Sequence, residues 1–475
     1  MTAIPFPLSS APGERPQESA GRLINTYAEP RGEGLGPLWR RAPGLSEFVD
    51  TGSETFRGAI VMPGVVYVGF KDAILAIEEG ATSDGTDWLV TTHGSFAGSD
   101  KLFLARNNNS TPDVVVVGDI GVSVITSSGV EEYPDADVGS PNAVAFLAGY
   151  FFFTYGDGKV RTSGINSTSI NTLDLATAEQ NPDGLLRPVP YRSQMILCGP
   201  RTMEVWTNTG NATGFPFSYS YTIAAGLIGA HAIAGGGDEF SEFLLWVADD
   251  NTVRMLNGYA ADKVSPPDLD RLIEAITDKT TIEACVYSSG GHKFWQVSCA
   301  AWSWVFDLNT KKWHERRSYL QPRSRITQSF PFDGRWLCGD VLSGKIAQIS
   351  RDAREELGSP LVVTIESGPV QKFPQRIQVA RADFDFIVGV GIAPGRDPVE
   401  TSPSVRISWT DDGGVYWSNP LVRSLGRQQQ SQTRVTVLNT GLTGPVGRRW
   451  RLEISDPVDA TLIAGDQAAS VRAKS

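Results

Sequence analysis

The chain has 475 residues and a formal net charge of −11 at pH 7. Its 49 glycines, 29 prolines and 12 tryptophans favour a turn-rich β protein. No apolar run approaches the roughly 20 residues that a transmembrane helix needs, so we expect no membrane-spanning segment. The N-terminus lacks a basic start followed by an apolar stretch, and we therefore expect no secretory signal.

The negative charge is concentrated in the middle of the chain. Residues 1–48 contain five basic and five acidic side chains, and residues 357–475 contain 13 basic and 11 acidic ones. Residues 49–356 therefore carry a net charge of −13. A protein that grips duplex DNA normally shows a basic stripe, whereas this segment should repel a polyanion.

The N-terminal segment, residues 1–48, is rich in proline and glycine and has little periodicity. We expect it to be an arm that docks on another part of the protein.

A low-fidelity repeat covers residues 49–356. Each unit opens with a short apolar strand, turns at a glycine- or aspartate-rich tip and continues as another strand, as in FRGAIVMPGVVYVGF from Phe56. Most units begin about 41 to 44 residues apart, which is the spacing of one four-stranded propeller blade. The pattern predicts an all-β fold containing a β-propeller of six or seven blades.

One short helix is predicted as an insertion in this repeat, within SPPDLDRLIEAIT. Ser265 is the expected N-cap, Pro266 the first helical residue and Asp268 an acidic residue of the first turn. An apolar stripe at helical spacing should pack against the propeller; it consists of Leu269, Leu272, Ile273 and Ile276.

Beyond residue 356 the pattern changes to strands such as SVRISWT and GRRWRLEIS. We predict a separate, β-sandwich-like platform domain over residues 357–475, with the arm of residues 1–48 as part of it.

Cysteine and histidine spacing gives no sign of a metal or cofactor site. The four cysteines follow no regular framework, so we expect buried thiols, and the four histidines are scattered singly. We predict no metal, no cofactor and no catalytic residues.

The stretch SWTDDGGVYW fits T-x-D-x-G-x-x-W, the Asp-box pattern of sialidases and other sugar-handling β-propellers. Thr410 and Asp412 suit a turn capped by side-chain hydrogen bonds, Gly414 permits a positive φ, and Trp417 should be buried as an anchor. The full pattern occurs once, with only partial echoes at 84–88 and 333–336. We interpret it as a structural turn; the alternative is a carbohydrate-binding or glycan-hydrolysing propeller.

Three arginines, Arg448, Arg449 and Arg451, follow this motif along the chain. They could form a contact patch, but strand residues of this kind more often form a solvated face.

The order of several motifs resembles the tail-nozzle proteins of short-tailed bacteriophages, also called packaged-DNA stabilisation or tail accessory proteins. The motifs extend through nearly the whole chain: RLINTYAEP (22–30), RRAPGL (40–45), RGAI (57–60), the block 181–217, the strand-to-helix step 257–276, WVFDLNTKKWHERRS (304–318), CGDVLSGKIAQI (338–349), SWTDDGGVYW (408–417) and WRLEISDP (450–457).

This resemblance implies a structural virion component. Such proteins form a hexameric ring below the portal and its adaptor, prolong the DNA channel, retain the packaged genome without sequence-specific binding, and dock the tail needle and the tailspike or tail fibre. The expected location is the phage tail, after assembly in the cytoplasm of the host bacterium. A cellular propeller scaffold is the remaining alternative, which neighbouring portal and terminase genes would exclude.

Overall fold

The structure is a computed structural model that describes residues 1–80, 88–178, 184–211 and 214–472. It divides into two compact units. Unit one consists of Met1–Ser46, Ser288–Ser324 and Ile349–Ser475, and unit two of Glu47–Tyr287 and Arg325–Gln348. Unit one thus contains Ser288–Ser324, which the sequence placed in the propeller segment. The division into residues 1–48, 49–356 and 357–475 stays a prediction.

Five four-stranded antiparallel sheets in unit two each consist of strands that follow one another in the chain. Their strands are Gly58–Met62, Val65–Gly69, Ala73–Glu79 and Trp88–Ser95; Phe103–Arg106, Val114–Gly118, Gly121–Thr126 and Gly129–Glu132; Ala143–Leu147, Tyr150–Thr154, Lys159–Ser163 and Ile170–Thr177; Arg187–Tyr191, Gln194–Cys198, Met203–Asn208 and Phe217–Ile223; and Ile233–Gly235, Leu244–Val247, Val253–Asn257 and Ala260–Lys263.

A further sheet contains Ile326–Phe332, Arg335–Asp340 and Lys345–Ser350. This sheet has six strands, and one of them, Gly44–Asp50, comes from the other end of the repeat and belongs to unit two from Glu47 onward. Serial four-stranded sheets are the architecture of a β-propeller. The predicted all-β propeller fold is confirmed.

Neighbouring sheets of unit two pack face to face through apolar side chains. Phe103 and Val115 of one sheet share a buried cluster with Phe151 and Phe153 of the next. Both faces of the inner strands are buried, as in Val114–Val117, where all four valines are at most 1% exposed. The near-continuous apolar runs of the sequence therefore form strands that are covered on both sides.

The predicted helical insertion is a helix over Pro267–Glu274. Leu269 and Ile273 of the predicted stripe are fully buried. The predicted cap is wrong, since Pro266 occupies the N-cap position. The hydroxyl of Ser265 is engaged elsewhere, because it accepts from the Val253 N–H and donates to Asp270.

Short 3-10 turns complete the helical content of the described residues. They lie at Pro16–Glu18, Ala136–Val138, Asp238–Phe240 and Lys279–Thr281. The strand Glu283–Ser289 begins in unit two. No helix in the described ranges is long and apolar enough to cross a bilayer.

Unit one contains strands from both ends of the chain. One sheet has the strand order Thr26–Glu29, Leu38–Arg41, Leu462–Arg472, Arg376–Phe386 and Val435–Leu442, with Thr2–Ala3 also paired to Leu462–Arg472. A second sheet has nine strands, and those within unit one have the order His292–Ser298, Ser303–Asp307, Lys312–Glu315, Arg22–Ile24, Val363–Glu366, Arg449–Ile454, Ser404–Thr410 and Leu421–Ser424. Two short strands, Glu355–Glu356 and Ser359–Pro360, pair with each other.

Side chains from both sheets fill the core of unit one. Val405, Ile407 and Leu452 of the second sheet share one buried cluster with Phe384 and Val437 of the first. Two antiparallel faces that share an apolar core form a sandwich-like arrangement. Trp450, in the same cluster, is fully buried.

Strands of the N-terminal segment are paired within these sheets. Arg22–Ile24 runs antiparallel to Val363–Glu366 on one side and parallel to Lys312–Glu315 on the other. Residues of the N-terminal and C-terminal segments therefore share backbone hydrogen bonds within one sheet.

Replacing Trp450 with alanine should test this core most strongly. The Trp450 indole donates its N–H to Gln467 Oε1 at 3.0 Å and contacts the rings of Phe384 and Trp409. We expect Trp450→Ala to lower the free energy of unfolding by about 3 to 5 kcal/mol, because it leaves a large cavity and an unpaired amide. The control Tyr416→Ala, at a side chain 78% exposed, should change it by less than about 0.5 kcal/mol. Denaturant titration measures both; equal losses would contradict the assignment of the core.

Candidate interaction site at the Asp-box turn

The Asp-box motif forms the connection between the antiparallel strands Ser404–Thr410 and Leu421–Ser424 of unit one. The Thr410 hydroxyl donates to Asp412 Oδ1 at 2.7 Å and accepts from the Gly414 N–H at 3.0 Å. Asp412 Oδ1 also accepts from the backbone N–H groups of Val415 at 2.9 Å and Tyr416 at 3.1 Å. One carboxylate therefore binds several successive backbone donors and fixes the turn.

The pKa of Asp412 reflects this arrangement. Partial burial acts to raise the pKa, but the hydrogen bonds from Thr410, Tyr416, Val415 and Gly414 outweigh it and leave the pKa below its usual value. A depressed carboxyl pKa means that the ionised form stabilises the turn. The contribution is present above the ordinary pKa of aspartate and is lost as pH falls through the lowered one.

Gly414 adopts a φ of +103°, a region that L side chains rarely adopt. The turn also passes close to other segments, since a Cβ built at Gly414 would lie 3.1 Å from Arg449 Nη1 and 3.4 Å from Pro16 Cβ. Glycine is therefore required here both by backbone conformation and by space.

Trp417 was predicted to be a buried anchor of the turn, but its side chain is only half-buried. The Arg451 guanidinium carbon lies 3.7 Å from the centroid of the Trp417 ring, which gives a cation–π contact in place of an apolar pocket. The buried indole of this region is instead Trp450. The tip of the turn projects its apolar side chains outward, with Val415 50% and Tyr416 78% exposed.

The three arginines beside the turn do not form a solvated face. Arg448 is fully buried and forms a two-pronged ion pair with Asp411, with Nε–Oδ1 at 2.8 Å and Nη2–Oδ2 at 2.7 Å. It also contacts the hydroxyl and the carbonyl of Thr440. Asp411, the residue that precedes the capping aspartate, thus links the turn to the end of another strand.

Arg449 is the most connected side chain of the site and is only 3% exposed. Its guanidinium donates to Glu366 Oε2 at 3.1 Å and to Ser19 Oγ at 2.9 Å. It also donates to three backbone carbonyls, those of Ser367, Pro16 and Gly413. Burial lowers the pKa of Arg449 more than the Glu366 carboxylate raises it.

Arg451 completes the cluster at its exposed side. Glu366 lies directly opposite Arg451 in the sheet register, and Arg451 Nε donates to Glu366 Oε1 at 2.9 Å. Each of the three guanidiniums is therefore engaged by groups of the protein itself. A glycosidase that used these arginines for a substrate carboxylate would first have to break these pairs.

Asp411, Glu366 and Ser19 are partners of the arginines that the sequence pattern did not predict. The sequence did indicate that Arg449 and Arg451 share one face of the sheet, because they are two residues apart on one strand. Which acid they meet depends on strand order, which the spacing does not contain. Among the described residues, no cluster of histidine, cysteine, aspartate or glutamate is arranged to hold a metal ion.

Next to the turn lie two strands that are each the last strand of a sheet in unit one and that contact each other through Arg423 Nε, which donates to the Thr436 carbonyl at 2.7 Å. We call Leu421–Ser424 and Val435–Leu442 the open edge; each is the terminal strand of its sheet. Val422 and Leu438 are each 58% exposed. Val435–Leu442 has the sequence VTVLNTGL, which contains no charge or proline of its own, and the Thr436 and Thr440 carbonyls of this strand accept from Arg423 and Arg448.

Replacing Gly414 with valine separates crowding from backbone strain. We expect a loss of unfolding free energy larger than the roughly 1 to 2 kcal/mol of a positive φ alone, because the valine would press on Arg449 and Pro16. Gly121 is the matched control, since its φ is +111° and no atom lies within 4 Å of a built Cβ. Thermal unfolding measures both variants; a smaller shift for Gly414→Val than for Gly121→Val would contradict the packing of this turn.

Replacing Arg449 with methionine should release the N-terminal segment from the turn. The change removes five hydrogen-bonding contacts of a buried cation, and we expect a loss of about 3 kcal/mol together with faster proteolysis before residue 20. The control Arg434→Met removes an exposed arginine of the same unit. Limited proteolysis with N-terminal mapping is the measurement, and equal cleavage of the two variants would refute the role of Arg449.

Three solved structures are similar to the chain at low sequence identity. The WD40 β-propeller domain of Doa1 matches at 9% identity with a TM-score of 0.42, over 64% of this chain and 96% of that one. The RRP9 WD40 repeats match at 11% identity and a TM-score of 0.39, over 65% and 99%. The computationally designed Ika8 protein matches at 13% identity and a TM-score of 0.38, over 72% and 99%. No curated protein sequence matches the chain.

A protein-family model gives the decisive comparison. The model described as "Bacteriophage P22 Gp10, beta-propeller" matches residues 24–354, which is more than half of the chain. The match includes the sheets of unit two and the motif RLINTYAEP from its third residue onward. The resemblance to tail-nozzle and packaged-DNA stabilisation proteins is confirmed, and the chain belongs to the bacteriophage P22 Gp10 β-propeller family of phage tail proteins.

Proposed function

We propose that this chain is a structural subunit of the tail nozzle of a short-tailed bacteriophage and has no catalytic role. The family match over residues 24–354 is the observation that carries the proposal. In this function six copies form a closed ring below the portal and its adaptor. The ring prolongs the DNA channel, retains the packaged genome and docks the tail needle and the tailspike or tail fibre. The subunits assemble in the host cytoplasm before they join the virion.

The charge distribution supports a conduit rather than a DNA clamp. Affinity for duplex DNA comes largely from basic side chains that neutralise phosphates and release counterions. Residues 49–356 carry a net charge of −13, so the propeller segment offers little of this attraction. DNA can then pass through the ring without sequence-specific binding.

The open edge supports assembly through unit one. A heterologous ring needs two different contact surfaces on each subunit. The uncharged edge strand Val435–Leu442 and the exposed Val422 provide one surface that a further chain would cover. In this proposal residues 1–48 and 357–475 form the platform of the ring, and residues 49–356 the propeller.

A carbohydrate-binding propeller is the second candidate, because the Asp-box carries the exposed Tyr416 at its tip. An exposed aromatic ring can stack on a sugar. The turn residues themselves are engaged in backbone hydrogen bonds, and the adjacent arginines are paired. Saturable binding of the purified chain to a glycan array, abolished by Tyr416→Ala, would favour this candidate.

Phage particles assembled without the chain, and complemented in trans, test the nozzle proposal. We expect particles that lack it to lose packaged DNA to nuclease, and the wild-type chain to restore retention. Leu438→Asp on the open edge should fail to restore it because a charge opposes edge pairing. Leu173→Asp, at a side chain 84% exposed in unit two, is the matched control and should restore retention.

The assay is the fraction of particle DNA that survives nuclease treatment. Full retention in particles that contain no copy of the chain would contradict the proposed function. If both variants restored retention equally, the open edge would not be a contact surface of the ring.

A further inference from the structure

A cavity in unit two lies where the first strands of several propeller sheets come together. Its volume is about 220 Å³, enough for a small ion with its hydration water. Charged or polar residues from five separate segments line it; they include Lys101, Arg187, His231, Glu283 and Gln328. Propeller sheets converge at their innermost strands, so these groups meet although they are far apart in sequence.

Arg187 is the unusual member of this set. Its Nη1 donates to the Ala230 carbonyl at 3.0 Å, and its guanidinium carbon lies 4.9 Å from the centroid of the Phe103 ring. Its Nε is buried and has no acceptor. Within the described part of the chain, no carboxylate forms an ion pair with Arg187. Arg187 is half-buried, and a guanidinium that loses part of its hydration without gaining an anionic partner is destabilised.

The carboxylate that lines the same cavity is already neutralised. Glu283 forms an ion pair with Lys101 and accepts from the Thr327 hydroxyl at 2.7 Å. The Lys101 ammonium also donates to the Thr327 hydroxyl at 2.8 Å. The pair therefore contributes no net charge, and Arg187 leaves the lining with one uncompensated positive charge.

The electrostatic environment of His231 agrees with a net positive charge in the cavity lining. Its ring stacks on Phe103 with the centroids 4.7 Å apart. The pKa of His231 is held well below its ordinary value by burial, and further lowered by the charges of Arg187 and Lys101. The cavity thus disfavours an additional cation.

The remaining polar group is compatible with an anion. The Gln328 Oε1 atom is buried without a donor. Because the two ends of an amide are interchangeable by a half-turn, the same side chain can present its NH2 group to a bound oxygen. Gln328 and Arg187 therefore both line the cavity with groups that can donate to an anion.

From these observations we infer that the cavity is a binding site for a small oxyanion, a carboxylate or phosphate group that pairs with Arg187. The fork of the guanidinium matches the oxygen spacing of both groups. The anion supplies the charge that the chain itself does not place beside Arg187. The inference does not depend on the proposed nozzle function, since it concerns a cavity within unit two alone.

Thermal unfolding of the full-length chain tests the inference. Sodium phosphate and sodium acetate are each titrated against sodium chloride at constant ionic strength. We expect a saturable rise of the melting temperature with at least one of the two oxyanions and no saturable rise with chloride, because a ligand bound only to the folded state stabilises it. Whichever salt acts at lower concentration identifies the preferred group.

Arg187→Met keeps the apolar stem against Phe103 and removes the charge. We expect it to weaken the anion response at least about tenfold, and to leave the melting temperature in anion-free buffer unchanged or higher. Arg106→Met, at an exposed arginine of unit two, is the control for non-specific screening and should keep the full response.

A wild-type chain that responds to phosphate and acetate no more than to chloride refutes the site and indicates that water fills the cavity. Loss of the response in both variants also refutes it. If Arg187→Met does not fold, the wild-type titration alone decides between saturable binding and no binding.

Discussion

A buried guanidinium needs acceptors on every side, and Arg449 shows what this requirement imposes on unit one. Its partners come from the N-terminal segment at Pro16 and Ser19, from Glu366 and Ser367, and from Gly413 in the Asp-box turn. Three segments far apart in sequence must therefore meet at one strand. The incorporation of the N-terminal strands into the sheet, the closeness of Gly414 to Pro16 and the fixed orientation of the turn all agree with this single constraint.

The contacts of the buried arginines also explain the structural role of the Asp-box in this chain. In this chain the motif's carboxylate caps its own turn, and the neighbouring Asp411 and Gly413 serve Arg448 and Arg449. The exposed part of the turn is its tip, with Val415 and Tyr416, and Leu438 of the neighbouring edge strand is also exposed. These are features of a contact surface, which suits a member of a phage tail family better than a catalytic cleft.

Regular and local features were predictable from the sequence, and long-range ones were not. The propeller followed from the spacing of apolar strands, and the helix at Pro267–Glu274 from its periodicity. The cap at Ser265 was misassigned because its hydroxyl bonds to Val253, a contact with another strand. The arginines were misread for the same reason, since Ser19 and Glu366 become their neighbours only through strand order. Trp417 was expected in a core, but Arg451 covers its ring instead.

Under the proposed function, copies of this chain form a ring in the virion tail, and native mass spectrometry of tails released from purified particles measures how many copies the ring contains. We expect a complex that contains six copies of the chain together with portal-adaptor or needle components. Tails that contain no copy of the chain, or a chain that stays monomeric both alone and with the adaptor, would contradict it.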